Sequence, residues 1–144
     1  MKRIISLIIA VVVMTMSTAV FADNSPSVYL NGEKMNFTDN VNPYIDPESG
    51  RTLVPMRDIY QAIGAVVQWD EDTRTAIAVK GDTYVTVQIG STKAFVNSEE
   101  HTLDVAGVIT NDRTFLPLRF VVEAMGAQVE WDNENYAVMI NVNE

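Results

Sequence analysis

The sequence contains no cysteine, so disulfides cannot hold its fold together. Many small exported domains depend on disulfides, and this chain must instead rely on an apolar core, which its hydrophobic content of 47% makes feasible. A single histidine, His101, is too few for the imidazole-rich sites that copper prefers. These absences exclude a disulfide scaffold and argue against a copper centre.

Positive charge is also scarce, since ten Lys and Arg stand against 19 Asp and Glu. The resulting net charge of −9 argues against nucleic acid as a partner, because phosphates select basic patches. It argues equally against an anionic membrane surface. The balance permits a cationic partner or divalent ions, although a solvated acidic surface is the commoner reason for it.

The first 22 residues are typical of a secretory signal peptide. Residues 1–3 form a short basic head, residues 4–14 an apolar run, and Val20 and Ala22 suit a signal peptidase. The apolar run is shorter than the roughly 20 residues that span a bilayer, which disfavours the alternative of an uncleaved anchor. We therefore predict cleavage after Ala22 and a product without a membrane span, either secreted or held at the cell surface or cell wall.

One stretch of the sequence occurs twice. Residues 51–70 recur as residues 113–132, and ten of these 20 positions are identical. Such a repeat indicates one structural unit used twice, so we predict a single domain over residues 23–144. Its two repeats are expected at about 28–80 and 84–142. The residues to which we assign a structural role in this repeated motif are Arg51, Pro55, Arg57, Gly64, Trp69 and Asp70, and in the second copy Arg113, Pro117, Arg119, Gly126, Trp131 and Asp132.

The order of signals within each copy predicts alternating strands and one short helix. Pro55 suits the first position of a helix, and Gly64 provides the left-handed stop after Ile63. Asn31-Gly32 marks a type I′ hairpin before the first copy. The predicted fold class is α+β: two tandem β-β-α-β-β repeats whose mostly antiparallel, twisted sheet packs on the short helices.

This layout resembles the copper amine oxidase N-terminal domain-like family, also called the stalk domain. The likeness is carried by residues 29–32, 51–57, 62–65 and 69–70, and in the second copy by 113–120, 123–127 and 131–132. It covers nearly all of residues 28–142. It implies the α+β stalk fold and an exported protein of a Gram-positive bacterium. Relatives often carry the module beside cell-wall or enzymatic domains, whereas here we expect it to stand alone.

The resemblance implies no binding residues and no cofactor. The quinone of amine oxidases derives from a tyrosine in an Asn-Tyr-Asp/Glu context, which residues 135–137 match only in part. Together with the single His101, this leads us to predict no cofactor and no copper or amine-oxidation chemistry.

The second arginine of the motif is the oddest local feature. Arg57 and Arg119 lie in the first turn of their helices, where a cation opposes the helix dipole. We hypothesise that each guanidinium bridges to carbonyls of a neighbouring turn or to the carboxylate of Asp70 or Asp132. The alternative is a ligand-facing anion site.

Three further features have both a structural and a functional interpretation. Trp69 and Trp131, in phase with Ala and Val, are predicted core, with a sugar-binding platform as the alternative. The acidic segment 70–72 and the segment Asp132-Asn133-Glu134 are predicted solvated turns, since neither extends into a twelve-residue Ca²⁺ loop, with Ca²⁺ binding as the alternative. Residues 99–101, two Glu and a His, are predicted surface of an edge strand, with acid–base chemistry as the alternative.

No nucleophile elbow, phosphate loop or paired metal motif is present in the sequence. We therefore predict a non-enzymatic, exported binding or structural module at the bacterial cell envelope, with a protein or wall polymer as partner. The alternative is a secreted inhibitor or accessory subunit of an extracellular enzyme. A third reading, an enzyme with an unrecognised site, requires a deep polar pocket with perturbed titrating groups. A monomer or a weak dimer through exposed edge strands is expected.

Overall fold

The computed structural model describes residues 25–38 and 41–143. The predicted signal peptide lies outside the described residues. Within them, thirteen strands form three sheets and two short helices pack among these sheets. Most of the strand pairs are antiparallel. The predicted α+β class is confirmed.

The elements have the following bounds. The helices are α1, Met56–Ala62, and α2, Leu118–Ala124. The strands are β1 Ser27–Leu30, β2 Glu33–Lys34, β3 Tyr44–Ile45, β4 Thr52–Pro55, β5 Val66–Asp70, β6 Thr75–Lys80, β7 Thr83–Gln88, β8 Lys93–Val96, β9 Glu99–Thr102, β10 Val108–Thr110, β11 Arg113–Pro117, β12 Gln128–Asp132 and β13 Ala137–Asn141.

The two copies of the motif meet in a central sheet with the strand order β10-β11-β4-β3. Strands β4 and β11 are antiparallel, and Val54 lies opposite Leu116. These two residues are equivalent in the sequence repeat, and both are fully buried. Each strand leads directly into its helix, and α1 contacts α2. The motif therefore builds the centre of the molecule.

The other two sheets do not follow the order of the repeats. One has the order β5-β6-β7-β8-β9, and the other joins the two ends of the described chain in the order β12-β13-β1-β2. Strand β1 is parallel to β13, with Val28 opposite Val138, and the Val142 amide donates to Asn31 Oδ1 at 2.9 Å. The hairpin that we assigned to the first repeat thus completes the sheet of the second. It covers the edge of β13, whereas β7 covers the same edge of β6.

The predicted hairpin turn at Asn31-Gly32 and the turn between β8 and β9 both adopt positive φ angles. Asn31 and Gly32 have φ of 48° and 85°, as a type I′ turn requires. Asn97 and Ser98 take the same region, with φ of 49° and 68°, although Ser98 replaces the glycine. The Tyr84 amide donates to Asn97 Oδ1 at 2.9 Å, and the Tyr84 hydroxyl bonds to Ser98 Oγ. These cross-strand bonds help to hold the turn that the sequence signals weakly.

Each helix buries one apolar face in the core. In α1 and its cap, Met56, Ile59, Tyr60 and Ile63 are buried. In α2, Leu118, Val121 and Val122 are buried, and Met125 packs against the same cluster. This cluster includes residues from all three sheets, so the two copies share one core.

Tyr60 is the exception within this core. Its side chain is fully buried, and its hydroxyl has no hydrogen-bond partner among the described residues. Burial raises the pKa of the Tyr60 phenol above its ordinary value. The equivalent residue of α2 is Val122, which has no polar group to satisfy.

Candidate functional site

Two open grooves lie where the copies of the motif meet. The first groove has a volume of about 610 Å³ and the second about 600 Å³. The first groove includes Pro55, Arg57 and Trp69 from the first copy and Ile109 and Arg113 from the second. The second groove includes Pro117, Arg119 and Trp131 from the second copy and Ile45 and Arg51 from the first. Each groove therefore takes equivalent residues from both copies, in reciprocal positions.

This arrangement places eight of the twelve motif residues in the linings of the grooves, a position that the sequence does not reveal. The two arginines, the proline and the tryptophan of each copy all line a groove. The glycines Gly64 and Gly126, with φ of 90° and 77°, follow the helices and lie outside the grooves. The carboxylates Asp70 and Asp132 also lie outside them. The structure thus separates groove-lining residues from turn-forming residues within one motif.

The two aspartates hold their own turns. Asp70 Oδ1 accepts hydrogen bonds from the amides of Asp72 and Thr73, at 3.0 and 3.4 Å. Asp132 Oδ1 accepts from the amides of Glu134 and Asn135, and its Oδ2 accepts from Asn135 Nδ2 at 2.8 Å. Hydrogen bonds from Asn135 lower the pKa of the Asp132 carboxyl. These carboxylates are therefore engaged with turn amides.

The arginine bridges that we hypothesised are not formed. Arg119 Nη1 donates to Glu123 Oε1 at 2.9 Å, one helical turn later, and not to Asp132. Arg57, which is exposed, forms no hydrogen bond or ion pair with any described residue, Asp70 included. The hypothesis is wrong for both residues, because the aspartates already accept bonds from their turns and a carboxylate four residues on is nearer in α2.

The absence of a partner for Arg57 follows from one sequence difference. Glu123 of α2 corresponds to Gln61 of α1, which carries no charge. In the second groove, Arg51 also pairs with a carboxylate, since its Nη2 lies 3.3 Å from Asp104 Oδ2. Both motif arginines of the second groove are thus paired within the chain.

The formal charges of the two linings differ by one. In the first groove, three arginines balance three carboxylates: Arg57, Arg74 and Arg113 against Asp58, Glu71 and Asp112. In the second groove, two arginines face three carboxylates: Arg51 and Arg119 against Asp104, Glu123 and Glu130. The first groove is neutral in a strongly acidic chain, and it is the less acidic of the two.

The tryptophans differ in burial. Trp69 is half-buried against the core, and its Nε1 donates to Glu71 Oε2 at 2.6 Å. Trp131 is 42% exposed, and its Nε1 donates to Asn133 Oδ1 at 3.4 Å. The prediction that both are core is therefore wrong for Trp131 and holds only in part for Trp69. The indole of Trp131 packs edge-on against Tyr136, with ring centroids 5.2 Å apart, instead of against the core.

The residue after each acidic turn also differs between the grooves. Arg74 and Tyr136 are equivalent, and both have positive φ, 53° and 50°. The first groove therefore gains a third arginine, whereas Tyr136 packs against Trp131 and does not line the second groove. Gln61, Arg74 and Tyr136 were not among the predicted site residues, because those were the residues that the two copies share. The informative positions in the sequence were those at which the two copies differ.

The remaining candidates, residues 99–101, line neither groove, although the ring of His101 lies beside that of Phe120 in the second groove. Residues 99–101 are exposed on β9, an edge strand as predicted, and Glu100 Oε1 lies 3.6 Å from Lys93 Nζ. Within residues 25–38 and 41–143, no three His, Cys, Asp or Glu side chains cluster as metal ligands would. In the same part of the chain, no helix is long and apolar enough to cross a membrane.

Comparison with known proteins identifies the family. The family model described as "Copper amine oxidase N-terminal domain" matches residues 29–140. A protein of Brevibacillus choshinensis named "Protease inhibitor" is 26% identical over 113 residues, which are 78% of this chain and 33% of that protein. The chain thus spans about a third of that relative's length. Because the family match includes both copies of the motif and both grooves' arginines, the chain belongs to the family of the copper amine oxidase N-terminal domain.

Proposed function

We propose that this protein is a non-catalytic binding module of the bacterial cell envelope, and that the first groove is its binding site. The observation that carries the proposal is Arg57, an exposed guanidinium without a partner among the described residues. It lines a groove of about 610 Å³ together with the half-buried Trp69. Arginine and tryptophan are the residue types that most often dominate binding energies at protein interfaces.

A protein is the partner that the observations favour over a wall polymer. The relative named "Protease inhibitor" is, by its name, a protein that acts on other proteins. The first groove also combines apolar surface from Pro55, Val67 and Ile109 with charges of both signs. Such a mixture suits the side chains of a polypeptide, which offer apolar and charged groups close together.

The composition of the first groove supports a binding role over an enzymatic one. Its described lining residues include no histidine, the side chain most often used for proton transfer, and no cysteine, serine or lysine nucleophile. Three arginines of the lining match its three carboxylates, Asp58, Glu71 and Asp112. Three groups with shifted pKa values, Asp46, Tyr60 and Asp132, lie outside both grooves. The groove offers charges and apolar surface for binding.

The site of action follows from the predicted signal peptide. Cleavage after Ala22 would release residues 23–144 outside the cytoplasmic membrane. We propose that the product is secreted or remains at the cell surface or cell wall. The family resemblance to exported Gram-positive proteins agrees with this location.

A second candidate is a secreted inhibitor or accessory subunit of an extracellular enzyme. The observation that favours it is the printed name of the Brevibacillus choshinensis relative, with which the chain shares 26% identity. An inhibitor would slow a secreted protease in a concentration-dependent way. A structural module would bind its partner without changing any reaction rate.

A retention experiment tests both candidates together. The purified protein is immobilised and exposed separately to isolated sacculi and to culture supernatant of the same organism. We expect one defined supernatant protein to be retained, and retention by sacculi alone would instead favour a wall polymer. Two matched double variants serve as controls: Arg57→Gln/Trp69→Phe in the first groove and Arg119→Gln/Trp131→Phe in the second. If neither fraction is retained, the binding-module proposal is wrong.

A further inference from the structure

In the second groove, a carboxylate of the same chain pairs with the arginine of the helix. The equivalent arginine of the first groove has no such partner among the described residues. We propose that the first groove binds an aspartate or glutamate side chain of a protein partner, and that Arg57 receives its carboxylate. This inference rests on the proposed function, because it assumes that the first groove is the binding site for a protein.

The second groove shows the contact that the first one lacks. In α2, Arg119 Nη1 lies 2.9 Å from Glu123 Oε1. In α1 the residue four positions after Arg57 is Gln61, and its neutral amide cannot form an ion pair. An arginine guanidinium offers five donors in a planar fork, and a carboxylate is the acceptor that matches this fork. The partner's carboxylate would take the place that Glu123 takes in the second groove.

Arg57 is not explained by the stability of its own helix. A cation in the first turn is disfavoured by the helix dipole. In α2, Glu123 pairs with Arg119. By contrast, α1 has an acidic residue in its first turn, Asp58, but no described residue pairs with Arg57. A carboxylate of a partner would pair with the charge of Arg57, for which the described part of the folded chain has no such acceptor.

The surroundings of Arg57 specify what accompanies the carboxylate. Trp69 is held by its packing against the core and by the 2.6 Å bond from its Nε1 to Glu71. The groove also presents Val67 and Ile109, and Ile109 is among the exposed large apolar side chains. A fixed aromatic ring beside aliphatic groups favours an apolar residue next to the acidic one. We therefore expect the bound segment to contain an acidic residue with an apolar neighbour.

A polyanion such as a glycerol phosphate polymer fits the groove less well. The three arginines of the lining are matched by three carboxylates, Asp58, Glu71 and Asp112. A row of phosphates would lie against these carboxylates and against a chain of net charge −9. One carboxylate at Arg57 avoids this repulsion, since it makes a single local contact.

The matched substitutions are Gln61→Glu and Glu123→Gln. The first gives Arg57 an internal carboxylate four residues on, as Arg119 has, and the second frees Arg119. Both changes lie on exposed positions of the helices, so neither disturbs the core. The probe is a phage-displayed library of random peptides, selected in parallel against the immobilised wild-type protein and against each variant. Glycerol phosphate polymer is added as a competitor in separate selections.

We expect wild-type selections to enrich peptides with an acidic residue beside an apolar one. Binding of these peptides, followed by the emission of Trp69 in a Trp131→Phe background, should weaken about two- to threefold in Gln61→Glu. Arg57→Gln should weaken it by roughly three- to tenfold, because a charge-assisted hydrogen bond is lost. Glu123→Gln should leave affinity at the first groove unchanged.

Three results would overturn the inference. One is the absence of acidic enrichment in the wild-type selections, and another is the same affinity in wild type, Gln61→Glu and Arg57→Gln. The third is displacement of the peptides by glycerol phosphate polymer at lower concentration than by a capped aspartate peptide. If a supernatant protein is retained by all variants equally, the binding module stands and only the carboxylate assignment fails.

Discussion

The two grooves are made of equivalent residues but differ in how their arginines are used. In the second groove, Arg51 and Arg119 pair with Asp104 and Glu123 of the same chain. In the first groove, Arg57 pairs with no described residue. The arginines of the second groove are therefore engaged in ion pairs within the chain, whereas the first groove presents at its surface an arginine that is unpaired among the described residues.

The aromatic residues also differ between the copies, and here the second copy has the more exposed side chains. Trp131 and Tyr136 of the second copy form an exposed edge-on pair. In the first copy, Trp69 is half-buried, and Arg74 stands at the position equivalent to Tyr136. The repeated scaffold thus carries one groove with an arginine that no described residue pairs with, Arg57, and one with an exposed tryptophan, Trp131. Duplication allows such divergence, because the shared central sheet maintains the fold while surface positions change.

The largest effect is expected from substitutions in the buried pair of strands β4 and β11, on which both grooves are built. Leu116→Ala should lower the free energy of unfolding by about 2–5 kcal/mol, since it leaves a cavity at a fully buried position. Val54→Ala, at the opposed position, should cost less because it removes fewer carbons. Urea unfolding is followed by Trp69 emission in Trp131→Phe and by Trp131 emission in Trp69→Phe. Because the two variants can differ in stability, the emission midpoint of each is compared with its own far-UV circular dichroism midpoint. Separate midpoints within one variant would contradict a single shared core.

A smaller effect separates the two tryptophans. Trp69→Ala should destabilise the protein by about 2 kcal/mol, less than a fully buried tryptophan would, because Trp69 packs against the core on one side only. Trp131→Ala should cost less than about 1 kcal/mol, since its indole is largely exposed. Iodide should correspondingly quench Trp131 emission more strongly than Trp69 emission. Equal quenching would show that the structural difference between the grooves does not persist in solution.

An intermediate effect of opposite sign is expected at Tyr60. Tyr60→Phe should raise the free energy of unfolding by about 1 kcal/mol, because it removes a buried hydroxyl that has no partner among the described residues. A loss of stability would instead reveal a hydrogen bond to this hydroxyl. Val122→Ile in the second helix provides an apolar control for changes of volume at the equivalent position.

The same substitution has a pH signature. Burial raises the pKa of Tyr60 above its ordinary value of 10.0, so the unfolded chain ionises at lower pH than the folded protein. The stability due to the neutral phenol is present below pH 10 and is lost as pH rises toward the folded pKa. Tyr60→Phe should therefore lose less stability than wild type above pH 10, measured by urea unfolding at a series of alkaline pH values.

The smallest effect concerns the exposed ion pair. Glu123→Gln should lower the free energy of unfolding by no more than about 0.5 kcal/mol, because both side chains are exposed. Gln61→Glu should raise it by a similar amount, by creating the equivalent pair in α1. Both changes should shrink as salt is added. If Gln61→Glu brings no salt-dependent gain, the carboxylate does not reach Arg57 as it reaches Arg119.

The sequence predicted the elements well because their signals are local. Pro55 and Gly64 mark the limits of α1, and Asn31-Gly32 marks the first hairpin turn; each acts through its own backbone preferences. The buried faces of both helices follow from apolar spacing alone. Such signals need no knowledge of neighbouring elements.

The pairing of the sheets was not predictable in the same way. Strand β1 joins β13 across the whole chain, although the hairpin precedes the first copy in sequence. Nothing in the pattern of residues 27–30 distinguishes this partner from a strand of the first copy. The choice depends on which strand edges remain open once β7 has covered β6, and that is a property of the assembled fold.

The grooves were missed for a related reason. Residues such as Arg57 and Arg113 lie 56 positions apart and come together only because β4 pairs with β11. The glycines of the motif take positive φ after the helices, and its aspartates accept hydrogen bonds from turn amides; both features are set by local geometry. The arginines and tryptophans of the motif face surfaces formed by the other copy, so their environment could not be derived from one copy alone.

The most direct test of the central claim asks which groove the partner occupies in the living culture. Gln68 and Glu130 are equivalent, exposed and groove-lining, so each is replaced in turn by a photo-crosslinking phenylalanine analogue. Illumination of the producing culture should attach a protein partner to the chain labelled at Gln68 and not to the chain labelled at Glu130. Cross-linking from Glu130 alone, equally from both positions, or from neither would contradict the assignment of the first groove as the binding site.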